Sequence, residues 1–434
     1  MCNNGFLPQA AGLDLQQMEY ADSAIHRAMA DGEFSGAVLC VVRRADDGSS
    51  MGKVAYLKAY GLRSVLSAEG KADSTEMTTD AVFDLASLSK SVGTTLAFMR
   101  LVEDGRVRLT DRVDRYIEDF KSWDSLAEVE RPKKWRKRAQ KPEMKVVKSE
   151  PITVAHLLTH TSGLPSYISV EEFLGRMAES NTPPALYKDS LVRYIAVEAK
   201  RLSQPGQKAR YGCLNFVVLQ AIIERVTGQR LDEFAHSEVF EPLRLRNTRY
   251  NPIDAVMRAH DASVATVPTE QQADGRVLCG EAHDPIARLI NRGVSGNAGL
   301  FSSAEDLAVV ASLLMNGGVV RLPMEGWRGQ LGFTTPCRLY SRSTVERFLS
   351  APDAMAEHGK ALGWDAAYDR GGCYGDLMTP RMVVSHTGYT GTSMAIDLTE
   401  GVAVILLTNR VHPKDSGSLG RTRAVVANVV MGAI

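Results

Sequence analysis

The chain has 434 residues, of which 44% are hydrophobic and 24% charged, and its 51 basic and 51 acidic side chains cancel. This composition is that of a globular protein with room for a large apolar core, and it excludes a disordered, collagen-like or coiled-coil chain. The zero net charge argues against a general role in coating nucleic acid or a membrane surface.

The first thirty residues contain no basic region followed by an apolar stretch, so we predict no secretory signal and a cytoplasmic protein. The alternative is a signal trimmed before residue 1, which would place the protein in the periplasm or outside the cell. The longest strongly apolar run, 402–407, is far shorter than the about 20 residues of a membrane-spanning helix, so no transmembrane segment is expected. The cysteines have no paired spacing and indicate reduced thiols rather than disulfides or a zinc site: Cys2, Cys40, Cys213, Cys279, Cys337 and Cys373.

The N-terminal part of the chain combines a helix with a pair of strands. Apolar residues recur at helical spacing over 13–31. Two β-rich runs at 37–42 and 54–60 follow, separated by a polar stretch as in a hairpin. The run 87–103 again has helical periodicity and stops before Gly105, a residue type common just beyond a helix C-terminus.

Strands return near the C-terminus, after a middle part that is mostly helical. They are predicted at 382–385, 393–397 and 402–407, and a closing helix at 418–432. Strands at both ends with helices between them predict an α/β (α+β) fold in a single domain, 1–434. We expect an antiparallel sheet built from both termini and flanked by helices.

The division into lobes follows from the same pattern. An α/β lobe is expected from residues 1–86 and 321–434, and an inserted, mainly helical lobe from 87–320. The segment 131–148 is strongly basic, with nine lysines or arginines and one glutamate. We interpret it as a solvated insertion, and nucleic-acid binding through it is the alternative.

The strongest chemical pattern is Ser87-Leu88-Ser89-Lys90 at the start of a predicted helix. Positions three apart share one helix face, so the Ser87 hydroxyl and the Lys90 amine can meet. The hydroxyl becomes a nucleophile when a base takes its proton, and burial near a helix N-terminus is expected to lower the pKa of the lysine enough for this role. The alternative for Ser87 is an ordinary helix N-cap. The same pattern at 50–53 lies in a polar linker, and we attribute it to chance.

Two further segments suit this chemistry. Tyr211 precedes a predicted helix, and a phenol beside a lysine can share in proton transfer, the alternative being a half-buried packing residue. Gly388 follows a predicted strand, where a glycine lets another backbone or a ligand approach closely. The backbone N–H of Tyr389 would then join that of Ser87 in holding a tetrahedral oxyanion. His386 taken alone is more typical of a polar strand end.

The ordered set of Ser-x-x-Lys, a Tyr-x-Asn-like element at Tyr211 and the triplet His386-Thr387-Gly388 resembles the serine β-lactamase and penicillin-binding protein superfamily. The likeness is greatest to its class C-like branch, which includes D,D-carboxypeptidases and family VIII carboxylesterases. It extends over most of the chain through further blocks: HLLTHTSGL at 156–164, Pro242-Leu243 with Asn247-Thr248, GNAGLF at 296–301 and LGWD at 362–365.

This resemblance implies a β-lactamase/transpeptidase-like fold and an acyl hydrolase that needs no cofactor and no metal. Ser87 would be the acylated nucleophile, Lys90 its base, and Tyr211 the group that assists proton transfer to the leaving group. The residues expected to border the substrate or build the oxyanion hole are His386, Thr387, Gly388 and Tyr389. Within HLLTH, His156 and His160 have a spacing that suits zinc on a helix, but the family block implies a structural role.

Two positions depart from the family pattern. Cys213 borders the substrate site where the family commonly has an asparagine, so an amide that can hold Lys90 or a substrate carbonyl is lost. We interpret Cys213 as a small filler, and a second nucleophile is the alternative. His386 stands where many β-lactamases have a lysine, so a fixed charge for a substrate carboxylate is replaced by a group expected to titrate near neutrality.

Both departures favour an esterase, amidase or peptidase over efficient β-lactam turnover. We therefore predict a serine hydrolase that acts through a Ser87 acyl-enzyme on small ester or amide substrates, carboxylesterase-like or D,D-peptidase-like. The alternatives are a true β-lactamase, a penicillin-binding sensor with little turnover, and an acyltransferase using the same site. No nucleic-acid partner is expected, and the oligomeric state is left open.

Overall fold

The computed structural model describes residues 12–44, 52–120, 124–128, 144–148, 150–252, 265–323, 334–350, 358–366 and 372–434. The basic segment 131–148 lies outside these residues except for its last five positions, which form the second strand of a short antiparallel pair. Also outside are Cys2, the side chain of Cys373 and the serine of the second Ser-x-x-Lys pattern.

The strands of the described residues are β1 (Gly36–Arg44), β2 (Gly52–Leu66), β3 (Ala72–Glu76), β4 (Val82–Asp84), β5 (Asp124–Glu128), β6 (Met144–Lys148), β7 (Arg249–Tyr250), β8 (Leu300–Ser303), β9 (Val319–Pro323), β10 (Thr334–Arg338), β11 (Asp365–Ala366), β12 (Val383–Thr387), β13 (Ser393–Asp397) and β14 (Val402–Thr408). The α-helices are α1 (Leu15–Ala30), α2 (Leu96–Glu103), α3 (Val154–Leu158), α4 (Val170–Glu179), α5 (Tyr187–Val197), α6 (Cys213–Thr227), α7 (Leu231–Ala235), α8 (Ala304–Met315), α9 (Arg342–Leu349) and α10 (Gly420–Gly432).

The main sheet joins the two ends of the chain. Its seven strands run in the order β11-β12-β13-β14-β1-β2-β3, with every neighbouring pair antiparallel. In its centre β1 lies between β14 and β2, and Val38 is opposite Leu407 on one side and Ala59 on the other. The predicted α/β fold, with an antiparallel sheet built from both termini and flanked by helices, is confirmed.

Both faces of this sheet are buried, which explains the uninterrupted apolar run of β1. Val38, Cys40 and Val42 enter one core, whereas the alternating residues enter a second core under α1 and α10. The two terminal helices pack side by side, and the Asp14 N–H donates to the Ala433 carbonyl at 2.8 Å. The ends of the chain therefore close the same layer.

The helix α8 covers the other face of the sheet, although it lies inside the 87–320 segment that the sequence assigns to the helical lobe. It packs against β1, β2 and β14, and the arginine at the end of β1, Arg44, reaches the Met315 carbonyl. Conversely, a residue that the sequence assigns to the α/β lobe packs on a helix of the helical lobe: the Tyr340 hydroxyl donates to the Leu96 carbonyl in α2 at 2.8 Å. Hydrophobic periodicity shows that a helix face is buried but not which element covers it.

The helix predicted at 87–103 is composite. A 3₁₀ turn (Ala86–Leu88) and a π-helical stretch (Lys90–Thr95) precede α2. The predicted end of this helix is confirmed, since Gly105 lies just beyond α2 and has φ of 70°. Among the described residues, no helix combines the length and apolarity needed to cross a bilayer.

Candidate active site

Ser87 is presented by a tight turn that follows β4. Ala86 has φ of 45°, a left-handed backbone conformation that residues other than glycine rarely adopt, so the turn is strained. The buried Asp84 carboxylate stabilises it, accepting the Ala86 N–H at 2.8 Å and the His283 N–H at 2.7 Å. Strain of this kind, held by the surrounding structure, is common where a nucleophile is exposed to a cleft.

Lys90 is fully buried and reaches back to Ser87. Its Nζ donates to the Ser87 Oγ at 2.9 Å and to the backbone carbonyl of Asn297 at 2.8 Å, and it lies 3.6 Å from the Cys213 Sγ. The spacing of three residues therefore brings the hydroxyl and the amine together, as the sequence predicts. Cys213, at the start of α6, contacts the lysine where an asparagine was expected in the family pattern.

The charge state of Lys90 differs from the sequence-based expectation. Burial lowers its pKa, but the potential negative charges of Cys213 and Tyr211 and the carboxylate of Asp284 raise it, and the net direction is upward. The expectation of a depressed pKa was therefore wrong, because it considered burial and the helix terminus without these neighbours. Burial also raises the pKa of Cys213 and of Tyr211, and the charge of Lys90 opposes that rise in both.

Tyr211 joins this group from the loop before α6. Lys90 Nζ lies 5.1 Å from the centroid of its ring, and the charge of Lys90 partly offsets the effect of burial on the pKa of Tyr211. The ring packs on His160, with centroids 4.7 Å apart, and the Gly212 N–H donates to His160 Nδ1 at 3.2 Å. His160 thus fixes the position of Tyr211 by contacting its ring and by binding the backbone of the next residue.

The two histidines of HLLTH have separate partners. His156 Nδ1 accepts the Thr153 N–H at 3.1 Å at the start of α3, whereas His160 faces Tyr211 and the backbone of Gly212. The described residues contain no group of three or more side chains placed to hold a metal ion. These contacts agree with the structural role that the family block implies.

The triplet His386-Thr387-Gly388 closes β12 at the edge of the cleft. A Cβ on Gly388 would lie 2.2 Å from the Leu85 carbonyl oxygen, so the two backbones are in direct contact. Thr390 Oγ1 donates to the Asp84 carbonyl at 2.7 Å and Thr392 Oγ1 to the Leu85 carbonyl at 3.1 Å. The 388–392 turn is thereby joined to the segment that leads into Ser87.

His386 is buried and neutral. Its Nδ1 proton is donated to the Thr387 carbonyl at 2.9 Å, which leaves a lone pair on Nε2, and within the described residues Nε2 has no hydrogen-bond partner. Burial lowers its pKa to about 4. The charge of Asp365 acts against this shift, and the charges of Lys90 and Lys360 act in the same direction as burial. The expectation that this histidine titrates near neutrality was wrong, because the sequence does not show its burial.

These residues line a cleft with a volume of about 640 Å³. The sequence-predicted residues in its walls are Ser87, Tyr211, His386, Thr387, Gly388 and Tyr389. Three cations that sequence reasoning missed also line it, and each is already engaged. Lys360 pairs with Asp365, Arg410 with Asp415, and Arg423 donates to the carbonyls of Gly388 and Thr392.

A second polar network missed by the sequence supports Lys90 from the opposite side. The Asn297 carboxamide donates to Asp284 Oδ1 at 3.0 Å, and the Tyr167 hydroxyl donates to Asp284 Oδ2 at 3.1 Å. The Asn297 carbonyl therefore holds the lysine while its side chain is anchored to a carboxylate. The only sequence signal for this contact was the position of Asn297 in the GNAGLF block.

Comparison with known proteins agrees with this geometry. A sequence profile of the family described as Beta-lactamase matches residues 21–428. The chain is 30% identical over 419 residues to the N-acetylmuramyl-L-alanine amidase of Bacillus subtilis (strain 168), covering 93% of this chain and 83% of the relative. It is 26% identical over 423 residues to a "Putative D-alanyl-D-alanine carboxypeptidase" of Escherichia coli O157:H7, covering 93% and 85%.

Two solved structures show the same fold. "EstCE1, a hydrolase with promiscuous acyltransferase activity" superposes with a TM-score of 0.62 at 22% identity, covering 96% of this chain and 98% of the other. The octameric penicillin-binding protein homologue from Pyrococcus abyssi superposes with a TM-score of 0.61 at 22% identity, covering 95% and 77%.

Proposed function

The chain belongs to the beta-lactamase family, and from that membership and the geometry of the cleft we propose that it is a serine hydrolase which forms an acyl-enzyme at Ser87. The observation that carries the proposal is the buried Lys90 amine, 2.9 Å from a serine hydroxyl that lines an open cleft. A water-excluded amine at hydrogen-bond distance is the arrangement that proton removal from a serine requires.

The reaction begins from the minor form of the enzyme in which Lys90 is an amine. Lys90 takes the Ser87 proton as Oγ attacks the substrate carbonyl, and the backbone N–H groups of Ser87 and Tyr389 stabilise the oxyanion. Collapse of the tetrahedral intermediate breaks the bond to the leaving group, which receives a proton from the Tyr211 hydroxyl while Lys90 reprotonates the tyrosine. A water molecule then attacks the acyl-enzyme by the same relay and releases the acid.

A fluorophosphonate probe tests the nucleophile directly. Intact-mass spectrometry should show one adduct on the wild-type protein and none on the Ser87→Ala variant. The matched control is Cys213→Ala, since Cys213 is the other nucleophile beside Lys90, and it should keep the adduct. An adduct that survives Ser87→Ala but disappears in Cys213→Ala would contradict the proposal.

Amide substrates are favoured among those that the site can take. The relative with 30% identity is named for hydrolysis of the N-acetylmuramyl-L-alanine amide bond, and the same reaction is our first candidate for this chain. Its second candidate is a D-alanyl-D-alanine peptide, as in the relatives with 26% identity. Side-by-side rates on these two amides, on 4-nitrophenyl butyrate and on nitrocefin rank the classes, and a nitrocefin rate above all others would contradict this order.

A further inference from the structure

Tyr389, whose N–H is the second donor of the proposed oxyanion hole, is held at both ends by the loop 409–417. Nε of Arg410 donates to the tyrosine carbonyl at 3.0 Å, and Nη2 donates to the same oxygen. The tyrosine hydroxyl donates to Asp415 Oδ2, and Oδ1 of that carboxylate accepts a bond of 2.8 Å from Arg410 Nη1. These bonds close a ring that runs from the tyrosine backbone through the arginine and the carboxylate to the tyrosine side chain.

The tyrosine ring has two further contacts. The guanidinium of Arg410 lies 4.6 Å from the ring centroid, which is a cation–π distance. The ring of His283 stacks on it, with centroids 5.6 Å apart and planes 23° from parallel. The His283 N–H donates to Asp84, the carboxylate that stabilises the turn before Ser87. One network therefore joins the two segments that would supply the oxyanion donors.

Arg410 is placed to hold this network rather than to receive an anion. It lines the cleft but is only 8% exposed. All three guanidinium nitrogens donate to the protein, since Nη1 reaches the Gly417 carbonyl as well as Asp415. The neighbouring Arg423 is directed at two backbone carbonyls of the 388–392 turn. A buried guanidinium committed to protein acceptors in this way fixes the chain around it.

The bonds to this turn determine where the Tyr389 N–H points. That N–H and the Gly388 carbonyl belong to one planar peptide group and point in opposite directions. The Gly388 carbonyl accepts the Gly391 N–H at 3.1 Å and a bond of 3.4 Å from Arg423, and Arg410 holds the next carbonyl of the chain. With both peptide planes fixed, the N–H keeps one orientation. A donor oriented in advance stabilises an oxyanion without rearrangement during the reaction.

On the basis of the proposed acyl-enzyme function, we propose that Arg410 is a positioning residue, which together with Asp415 holds the Tyr389 N–H in the orientation that the oxyanion requires. It acts through the backbone and does not contact the substrate. Its removal should therefore lower kcat and leave KM nearly unchanged. A receptor for a substrate anion would show the opposite pattern, a higher KM confined to substrates with a carboxylate.

Chemical rescue of Arg410→Ala isolates this role, because the truncation leaves a gap for a guanidinium in the cleft wall. We expect kcat on the fastest of the four substrates named above to fall about 100-fold, with KM within about twofold of the wild-type value, since a displacement of about 1 Å has an effect of this size. Guanidinium chloride at about 20 mM, far below denaturing concentrations, should restore kcat about tenfold or more. Methylammonium chloride at the same concentration carries the charge without the planar fork and should not.

Three further variants complete the test. Arg342→Ala is the matched control, because this arginine pairs with Glu346 in an exposed ion pair on α9, and it should keep wild-type kcat with no response to guanidinium. Arg410→Lys retains a donor but not the fork, so its kcat should lie between those of the wild type and the alanine variant. Asp415→Asn protects the test if Arg410→Ala fails to fold. Its amide keeps the volume but places an N–H against a donor, which should lower kcat about tenfold.

Fluorophosphonate labelling separates failure of this inference from failure of the proposed enzyme function. If the probe does not label Ser87 in the wild type, the acyl-enzyme proposal is wrong. If it does, the labelling rate should fall in Arg410→Ala in parallel with kcat. The inference alone is overturned by wild-type rates in Arg410→Ala or Asp415→Asn, by a loss that neither guanidinium nor Arg410→Lys reduces, or by a rise in KM without a loss of kcat.

Discussion

Replacing Gly388 with alanine tests whether close packing of two backbones sets the geometry of the proposed oxyanion hole. The added Cβ would lie 2.1 Å from Thr392 Oγ1 and 2.2 Å from the Leu85 carbonyl, where ordinary contacts begin near 3.4 Å. The threonine hydroxyl can turn away, but the Leu85 backbone leads directly into Ser87, so the 388–392 turn must move by about 1 Å. A displacement of that size at a reacting centre lowers kcat/KM by about 100-fold, and overpacking costs about 1–3 kcal/mol of stability.

The matched control is Gly175→Ala in α4, where no atom lies within 4 Å of the new Cβ and the backbone is helical. That variant should keep full activity and gain a few tenths of a kcal/mol or more, because alanine loses less backbone entropy than glycine. Steady-state hydrolysis of 4-nitrophenyl butyrate and urea unfolding measure both quantities. A Gly388→Ala variant with wild-type kcat/KM would refute the reasoning that this contact positions the Tyr389 N–H.

Three further predictions concern charge and burial. Below the pKa of Lys90, the fraction of its amine form grows about tenfold per pH unit, so log kcat/KM should rise from neutral to alkaline pH. The charge of Asp284 raises that pKa, so Asp284→Asn should move the rise to lower pH. An unchanged pH profile would assign Asp284 a purely structural role. Burial keeps the pKa of His386 near 4, against 6.5 in the unfolded chain, so the unfolded state binds more protons between these pH values. The free energy of unfolding therefore falls as the pH drops through this window, by about 3 kcal/mol at most. Urea titrations at pH 7 and 4.5 should show this loss, and His386→Gln should reduce it. Arg201→Met should lower the free energy of unfolding, measured with urea, by about 3 kcal/mol without changing kcat, because the buried guanidinium donates to three carbonyls at the end of α5. A smaller loss than that caused by replacing a surface arginine would contradict this.

The elements that the sequence predicted correctly are those whose burial pattern is local. The β1 run is apolar on both faces because both are covered, and α1 shows a helical stripe because one face meets the sheet. Periodicity carries no information on partners, so the placement of α8 on the sheet could not be read from it. The lobe boundaries proposed from the sequence therefore separate elements that pack together.

The same distinction holds for the site. Ser87 and Lys90 meet because three residues span one helical turn, which the sequence shows directly. The Asn297 carbonyl reaches the lysine from 207 positions away, and no spacing rule indicates such a contact. The charge states of Lys90 and His386 depend on these distant neighbours and on burial, which explains why both expectations about their pKa values were wrong.

The pairing of β1 with β14 has a consequence for biosynthesis. A ribosome completes β1 and β2 long before it reaches β14, and more than 350 residues separate partners such as Val38 and Leu407. Until then the apolar edge of β1 has no neighbour on that side, and contacts of such long separation form slowly. The nascent protein must keep an incomplete sheet from aggregating during most of its translation. A circular permutation that links residues 14 and 433 and opens the chain at a surface loop would shorten this exposure.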